Sequence, residues 1–258
     1  MATGRTTLNN LRCYVDGYDM SGYARWIGPL TWEYQEADLT ATMGDAVKGY
    51  LPEMPTLGVG TLAGVLDSTA TVGMHPVMSV PTNRTVMVPF GIRAAPAAGD
   101  PVYCGRFRQL GYHAENAGGA VVVNMPFGQW SQAYGTADDT WESSNLIKPW
   151  GLVIFPKTSL TVSVDGTTLN HGAPSSNGAV LQVHIMSAVV GNVDITVQSS
   201  TTGAFAGEET PVTGMTQTFT LQGAYRYVAT GAIKQYVRIE WTLGVGASVT
   251  AAAAFMRN

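Results

Sequence analysis

The chain has few charged side chains for its length, and this scarcity narrows the range of functions. Of its 258 residues, 12% are Asp, Glu, Lys or Arg, about half the share of an average soluble domain. The net charge is −4 and no basic stretch occurs, so stable nucleic-acid binding through phosphate neutralisation is not expected. Such a weakly charged surface is typical of subunits buried against other copies. The alternative is a stable all-β monomer with a Thr- and Ser-rich surface.

Long apolar runs are also missing. No window of about 18 apolar residues is present, which predicts no transmembrane helix. The first residues, MATGRTTLNNLRCY, contain no apolar segment, so no signal peptide is expected. Hydrophobic residues nevertheless make up 45% of the chain, enough for a packed core rather than disorder.

Cysteine and histidine are scarce. The two cysteines, Cys13 and Cys104, are too far apart for a CxxC metal or redox site. We predict buried free thiols, with a disulfide between neighbouring strands as the alternative. No histidine has a His or an acid at metal-ligand spacing, which predicts structural or surface roles and no metal site. The four are His75, His113, His171 and His184.

Catalytic signatures are absent as well. The chain has no GxSxG, no P-loop, and no GxGxxG that opens a helix. Glu208 and Glu209 form an acidic pair, but their Gly- and Pro-flanked position indicates a solvated loop. A glycosidase needs two acids that converge from separate elements. The sequence therefore predicts no enzyme, no catalytic residue and no cofactor.

What the sequence does contain is β patterning. Alternation over Arg25 to Leu39 predicts a strand, with a bulge or break at Gly28-Pro29. A second, Gly-rich strand is predicted over Gly58 to Asp67, where small residues suggest the close approach of another backbone. Between them, Gly44 to Leu57 contains glycine and proline and is predicted to be a long, functional loop.

The middle of the chain predicts one helix and one hairpin. The helix is expected within Ser68 to Val80, capped by Ser68 or Thr69 and shortened by Pro76. Its core side chains are expected to be Val72, Met74 (or His75) and Met78. The hairpin is expected to pair Pro101 to Glu115 with Ala120 to Trp130, around the turn at residues 116–119.

Composition changes again near residue 150. Gln132 to Pro149 is polar and is interpreted as a linker or an extended arm. From Ser159 onward, short strands and turn signals recur about every 8–12 residues, as in a sandwich or jelly roll. We therefore predict a mainly β fold with two domains, residues 1–155 and residues 156–258.

The order of elements over roughly residues 8–155 resembles the tail-tube (major tail) proteins of long-tailed bacteriophages. The resemblance rests on an acidic-then-Thr segment after the first long strand, a GD…LP core in the following loop, and the Gly-rich strand. It implies a β-sandwich-like half barrel with one flanking helix. In that family six copies form a ring, and the rings stack into a tube through which DNA passes. Residues 159–258 resemble the accessory β-sandwich domains that decorate some such tubes.

The resemblance implies that the loop from Gly44 to Leu57 reaches a neighbouring subunit or ring. Its candidate interface residues are Asp45, Lys48, Tyr50, Leu51 and Met54. The candidate lumen-facing residues, Glu33, Glu36 and Asp38, would repel passing DNA; the alternative is that they are ordinary outer-face charges.

The expected partners are other copies of this chain, in stacked hexameric rings, and other tail or virion proteins. DNA would be transient cargo, no membrane is involved, and the location would be the virion tail after assembly in the host cytoplasm. One alternative is a capsid decoration or host-adsorption protein that binds a glycan. Another is a carbohydrate-active enzyme using Glu208 or Glu209.

Overall fold

A computed structural model describes residues 8–38, 50–92, 94–128 and 149–257. The described chain is mainly β, with one short helix and a curled half-barrel sheet, which confirms the predicted fold class. A 3₁₀ turn, Leu8–Asn10, precedes β1 Tyr14–Val15, β2 Tyr18–Asp19, β3 Ala24–Asp38, β4 Tyr50–Val65, α1 Met74–Met78, β5 Asn83–Pro89, β6 Pro101–Arg108, β7 His113–Ala117 and β8 Ala120–Pro126. The later strands are β9 Trp150–Leu160, β10 Val164–Asp165, β11 Leu169–Asn170, β12 Ala179–Ile185, β13 Val193–Ser200, β14 Thr210–Phe219, β15 Gly223–Ala229, β16 Tyr236–Leu243 and β17 Val249–Arg257.

The central layer is an eight-stranded sheet in the order β15-β12-β17-β9-β6-β5-β1-β2. It contains strands from both sides of the predicted domain boundary at residue 155, and β9 itself runs across that boundary. β9 pairs with β17 on one side and with β6 on the other, where Leu152 lies opposite Pro101. The two predicted domains thus share one sheet, and their separate folding stays a prediction.

This sheet curls so that its ends approach each other. The side-chain amide of Gln222, next to β15, donates a 3.0 Å hydrogen bond to the carbonyl of Gly17 in the β1–β2 turn. The inner face forms one apolar cluster with contributions from both halves of the sheet. Its buried members are Tyr14, Met87, Val102, Cys104, Val153, Val180, Ala252, Ala254 and Met256.

Each outer half of the curled sheet is covered by a smaller sheet. The four-stranded sheet β3-β4-β8-β7 and α1 cover the half containing β1, β5 and β6, around a core that includes Val86, Tyr103 and Phe107. A five-stranded sheet, β10-β16-β13-β14 with β11 beside β16, covers the other half. Trp241 and Phe219 are fully buried in that second core. Strands after residue 159 thus form the expected sandwich, with β9 and β17 supplying part of its second layer.

The helix is shorter than its sequence pattern suggests. It covers only Met74–Met78, and Gly73 occupies the N-cap without a side-chain hydrogen bond. The prediction of Ser68 or Thr69 as cap is therefore wrong. Met74 and Met78 are buried as expected, whereas Val72 is exposed.

The hairpin prediction was half right. Its turn is confirmed, since β7 and β8 meet at Ala117 opposite Ala120, with Gly118 and Gly119 at φ 63° and 86°. Positive φ at both central residues matches the right-handed twist of a hairpin and favours glycine. The strand expected from Pro101 to Glu115 ends at Arg108, however, and β6 pairs with β5 and β9 instead of β8.

Both cysteines are free and buried, as predicted. Cys13 belongs to the core beneath the four-stranded sheet, whereas Cys104 faces the interior of the curled sheet. Burial raises the pKa of each thiol to about 12. Neither thiol is a reactive thiolate at neutral pH, because removal from water disfavours the charged form.

Candidate assembly surface

The most extended feature of the described fold is the β3–β4 hairpin. The two strands pair antiparallel from Ala24 opposite Gly64 to Asp38 opposite Tyr50. β8 lies beside β4 only from Thr61 to Val65. The outer part, residues 30–38 and 50–59, has no third strand beside it within the described chain. We call this two-stranded part the ribbon.

The ribbon corrects part of the predicted loop from Gly44 to Leu57, because β4 already begins at Tyr50, whereas residues 44–49 lie outside the described residues. Pro52 and Pro55 indicated a loop, since proline cannot donate to a strand ladder. A strand with a neighbour on one side only tolerates proline, and the register shifts where Tyr34 pairs with Pro55 and Glu36 with Pro52. The bulge or break predicted at Gly28-Pro29 is not a register shift; that peptide bond is cis.

Tyr103 fixes the base of the ribbon to the central sheet. Its hydroxyl lies 2.8 Å from the carbonyl of Thr31 on β3 and 2.9 Å from that of Gly58 on β4. The ring stacks on Phe107 and meets Trp150 edge-on, with centroids 6.0 and 5.2 Å away. Burial raises the pKa of Tyr103, so the hydroxyl stays protonated and its single O–H is shared as a hydrogen-bond donor between the two carbonyls.

Two glycines allow the strands to approach at this base. A Cβ on Gly60 would lie 2.3 Å from Pro29 Cδ and 2.5 Å from the carbonyl oxygen of Gly28. A Cβ on Gly58 would lie 2.7 Å from Thr31 Oγ1. The predicted close backbone approach at the Gly-rich strand is thereby confirmed.

The predicted site residues fall partly on the ribbon. Tyr50, Leu51 and Met54 belong to β4. Tyr50 and Leu51 pair with Asp38 and Ala37 at the end of the described ribbon. Asp45 and Lys48 lie outside the described residues, as does nearly all of the predicted linker, Gln132 to Pro149, whose residues through 148 are not described.

The candidate lumen residues are all on β3. Glu33 pairs with Thr56, Glu36 with Pro52 and Asp38 with Tyr50. They thus share the ribbon with the candidate interface residues, so both predicted roles concern the same element.

The four-stranded sheet has two open edges in the described structure, β3 and β7. All five residues of β7, from His113 to Ala117, are exposed. An unpaired edge presents backbone N–H and C=O groups that can pair with another chain. The open edge of β3 continues directly into the ribbon, so the β3 edge and the ribbon form one surface.

The other residues considered for chemistry have structural surroundings. Glu208 accepts hydrogen bonds from the hydroxyls of Ser200 and Thr202, which lower its pKa. Its Oε1 therefore helps to fold the β13–β14 loop. No group of three or more potential metal ligands occurs among the described residues.

The histidines are divided between surface and interior. His75 is exposed and its Nδ1 lies 3.0 Å from the hydroxyl of Tyr112; His113 lies on the exposed strand β7. Burial, and then the nearby Arg257, lowers the pKa of His171 to about 4. Burial, and then Arg226, lowers the pKa of His184 to about 3. Both are therefore neutral at pH 7.

Sequence reasoning missed a pocket beside β3, which is lined by Arg12, Arg25 and Trp26 among others. Its residues are scattered between the 3₁₀ turn and the start of β3. The β3 wall contains a register shift at Arg25, and no sequence signal indicated that shift.

Comparisons with known proteins give no family for this chain. No family model matches it, and a search of curated proteins finds no match. Among solved structures, the insecticidal delta-endotoxin Cry8Ea1 from Bacillus thuringiensis aligns with 95% of this chain at 9% identity and a TM-score of 0.25. This chain spans 42% of the toxin chain, and a likeness this weak carries no argument. None of the helices in the described segments is long and apolar enough to cross a bilayer.

Proposed function

We propose that this chain is a structural virion protein, a subunit of a bacteriophage tail tube that assembles as stacked rings around a conduit for DNA. The observation that carries the proposal is the ribbon. Its strands pair with each other over residues 30–38 and 50–59 and have no further strand beside them in the described chain.

A two-stranded ribbon is marginally stable in water when nothing packs on it. Here the base is strongly fixed by Tyr103 and by the Gly60–Pro29 contact. The outer residue pairs are held only by the backbone hydrogen bonds between β3 and β4. Docking on a neighbouring subunit would supply the missing contacts. In this proposal Tyr50, Leu51 and Met54 belong to the interface between subunits.

The edges of the four-stranded sheet support the same proposal. β3 and β7 are at opposite edges, so the β7 of one copy and the β3 of the next can pair around a closed ring. Closure removes both open edges, which otherwise favour uncontrolled aggregation. A low share of charged residues, 12%, suits a chain with so much surface covered by its own copies.

Self-assembly is tested with purified full-length protein by light scattering and negative-stain electron microscopy across a concentration series. The test variant is Tyr50→Ala with Leu51→Ala. The matched control is Leu221→Ala with Val245→Ala, because both side chains are exposed, at 68% and 108%, outside the ribbon. We expect rings or tubes for the wild type and the control, and folded but unassembled protein for the test variant.

A wild-type protein that stays monomeric at every concentration would overturn the proposal. Assembly of the test variant at the wild-type critical concentration would remove Tyr50 and Leu51 from the interface. Unfolding of the test variant, measured by circular dichroism, would mean that these residues belong to a core.

A further inference from the structure

A pocket of about 430 Å³ lies between the first turn of the chain and the start of β3. This volume is within the range of ligand-binding clefts. Its walls come from two separate segments, residues 9–13 with Ser21 and residues 24–27. The pocket is on the other side of the hairpin base from the ribbon tip, and its second wall is the start of the β3 edge that the proposed ring contact would also use.

A β-bulge builds one wall of this pocket. Ala24 pairs with Gly64 and Trp26 with Ala63, so Arg25 is an extra residue without a partner in the ladder. Side chains alternate between the two faces of a regular strand, whereas a bulge redirects them. The four consecutive residues from Ala24 to Ile27 consequently all line the same pocket.

The opposite wall is held by local hydrogen bonds. Arg12 donates through Nη1 to the carbonyls of Asn9 and Leu11, at 2.9 and 3.0 Å. Its Nε and Nη2 make no hydrogen bond to the described residues. Ser21 Oγ accepts the backbone N–H of Cys13 at 3.0 Å, which joins the turn to this wall.

The charge of the pocket is opposite to that of the whole chain. Arg12 and Arg25 line it, and no acidic residue of the described chain does, although the chain carries a net charge of −4. Arg25 has no ion pair within the described residues. Trp26, 52% exposed, adds an apolar ring beside the two cations.

We propose that this pocket binds a carboxylate side chain of an acidic segment in a partner protein. A guanidinium matches a carboxylate with two parallel hydrogen bonds. Exposed Trp and Arg are the side chains most often found at the energetic centre of protein interfaces. The expected ligand is thus a Glu- or Asp-containing peptide with an apolar residue that packs on Trp26. Peptide binding does not require a ring, but both would use the start of the β3 edge, so the peptide is tested on protein below its assembly concentration.

Binding is tested by fluorescence anisotropy with full-length protein and a fluorescein-labelled peptide, Glu-Glu-Leu-Glu-Glu. The control peptide is Gln-Gln-Leu-Gln-Gln. The protein variants are Arg12→Gln with Arg25→Gln, Trp26→Ala, and Arg108→Gln as a matched loss of charge at an exposed position outside the pocket. Thermal unfolding checks that each variant is folded.

We expect the acidic peptide to bind and the glutamine peptide not to bind. The double arginine variant should weaken binding roughly tenfold or more, as for loss of a paired interfacial charge, and Trp26→Ala should also weaken it. Arg108→Gln should change affinity less than about twofold, as for a peripheral charge. The proposal is overturned if neither peptide binds at millimolar concentration or if both bind equally. It is also overturned if the double variant binds as wild type does, or if inorganic phosphate binds while the acidic peptide does not.

Discussion

The side-chain amide of Gln182 on β12 donates a 3.0 Å hydrogen bond to the carbonyl of Val86 on β5. These strands are not neighbours in the sheet, so the bond crosses the interior of the curl. Arg226 Nη1 donates to Gln182 Oε1 of the same amide at 2.6 Å. On the surface, Lys157 and Asp19 form a 2.6 Å ion pair between β9 and β2. Polar and apolar contacts therefore join residues before the predicted domain boundary to residues after it.

The shared sheet makes the position of a truncation decisive. A fragment of residues 159–258 lacks nearly all of β9, which pairs with β17 along most of its length, whereas residues 150–258 keep it. We expect circular dichroism and amide exchange to show a folded 150–258 fragment and an unfolded 159–258 fragment. Both expose the inner face around Val180 and Ala254, so both should be less stable than the whole chain. A stable, protected 159–258 fragment would show that β9 is dispensable for the sandwich.

Stability should fall in mild acid because of His184. Its Nδ1 accepts the backbone N–H of Gly17 at 3.3 Å, and Nε2 lies 3.0 Å from the Gln182 amide nitrogen. Burial, then Arg226, lowers its pKa from 6.5 to about 3. Between these values the unfolded chain binds a proton that the folded chain does not. The free energy of unfolding therefore rises with pH up to about 6.5, and the contribution of His184 is lost progressively as the pH falls from 6.5 toward 3.

The slope of the free energy of unfolding measures this effect. One fully buried neutral histidine contributes up to about 1.4 kcal/mol per pH unit. Urea titrations between pH 7 and pH 4.5 should show this slope, with a further contribution from His171. The His184→Gln variant should lose the part of this slope that His184 contributes. An unchanged slope in that variant would show that His184 is not the group responsible.

The thiols offer a simple test of burial. Since burial raises the pKa of Cys13 and Cys104 to about 12, native protein at pH 8 should react with a thiol reagent only as fast as it unfolds. In urea both thiols should react at once, without a reductant. Rapid labelling of native protein would contradict burial, and labelling that needs a reductant would indicate a disulfide.

Sequence patterning predicted the parts of this fold that depend on local chemistry. Alternation predicted β3, the Gly-rich part of β4 and the series of short strands after residue 159, and the glycines at 118 and 119 predicted the hairpin turn. The partners of β6 were missed because alternation reveals the faces of a strand and not its neighbours. Residues 50–57 of β4 were mistaken for a loop because Pro52 and Pro55 are strand breakers except where one side is unpaired, whereas the β3 side of the ribbon was predicted as a strand. The pocket was missed because its walls come from separate segments and because no pattern indicated the bulge at Arg25.

Removal of the Tyr103 hydroxyl should loosen the base of the ribbon. Tyr103→Phe keeps the stack on Phe107 but leaves the carbonyls of Thr31 and Gly58 without this donor. We expect a loss of about 1–2 kcal/mol in the free energy of unfolding, as for a buried hydrogen bond. Tyr236→Phe is the control, because that hydroxyl makes no hydrogen bond to described residues. Equal losses in the two variants would mean that the Tyr103 hydroxyl does not fix the ribbon.

Gly60 tests the close approach of β3 and β4 at the same place. In Gly60→Ala the new methyl group would lie 2.3 Å from Pro29 Cδ and 2.5 Å from the Gly28 carbonyl oxygen. The ring and the backbone on β3 must then shift, which costs about 1–3 kcal/mol or more. Gly22→Ala is the matched control, since its methyl group would meet no described atom within 4 Å. Urea denaturation should therefore show a lower midpoint for Gly60→Ala and a nearly unchanged midpoint for Gly22→Ala. If Gly60→Ala is as stable as the wild type, the two strands do not pack at this distance, and the rigid base proposed for the ribbon is wrong.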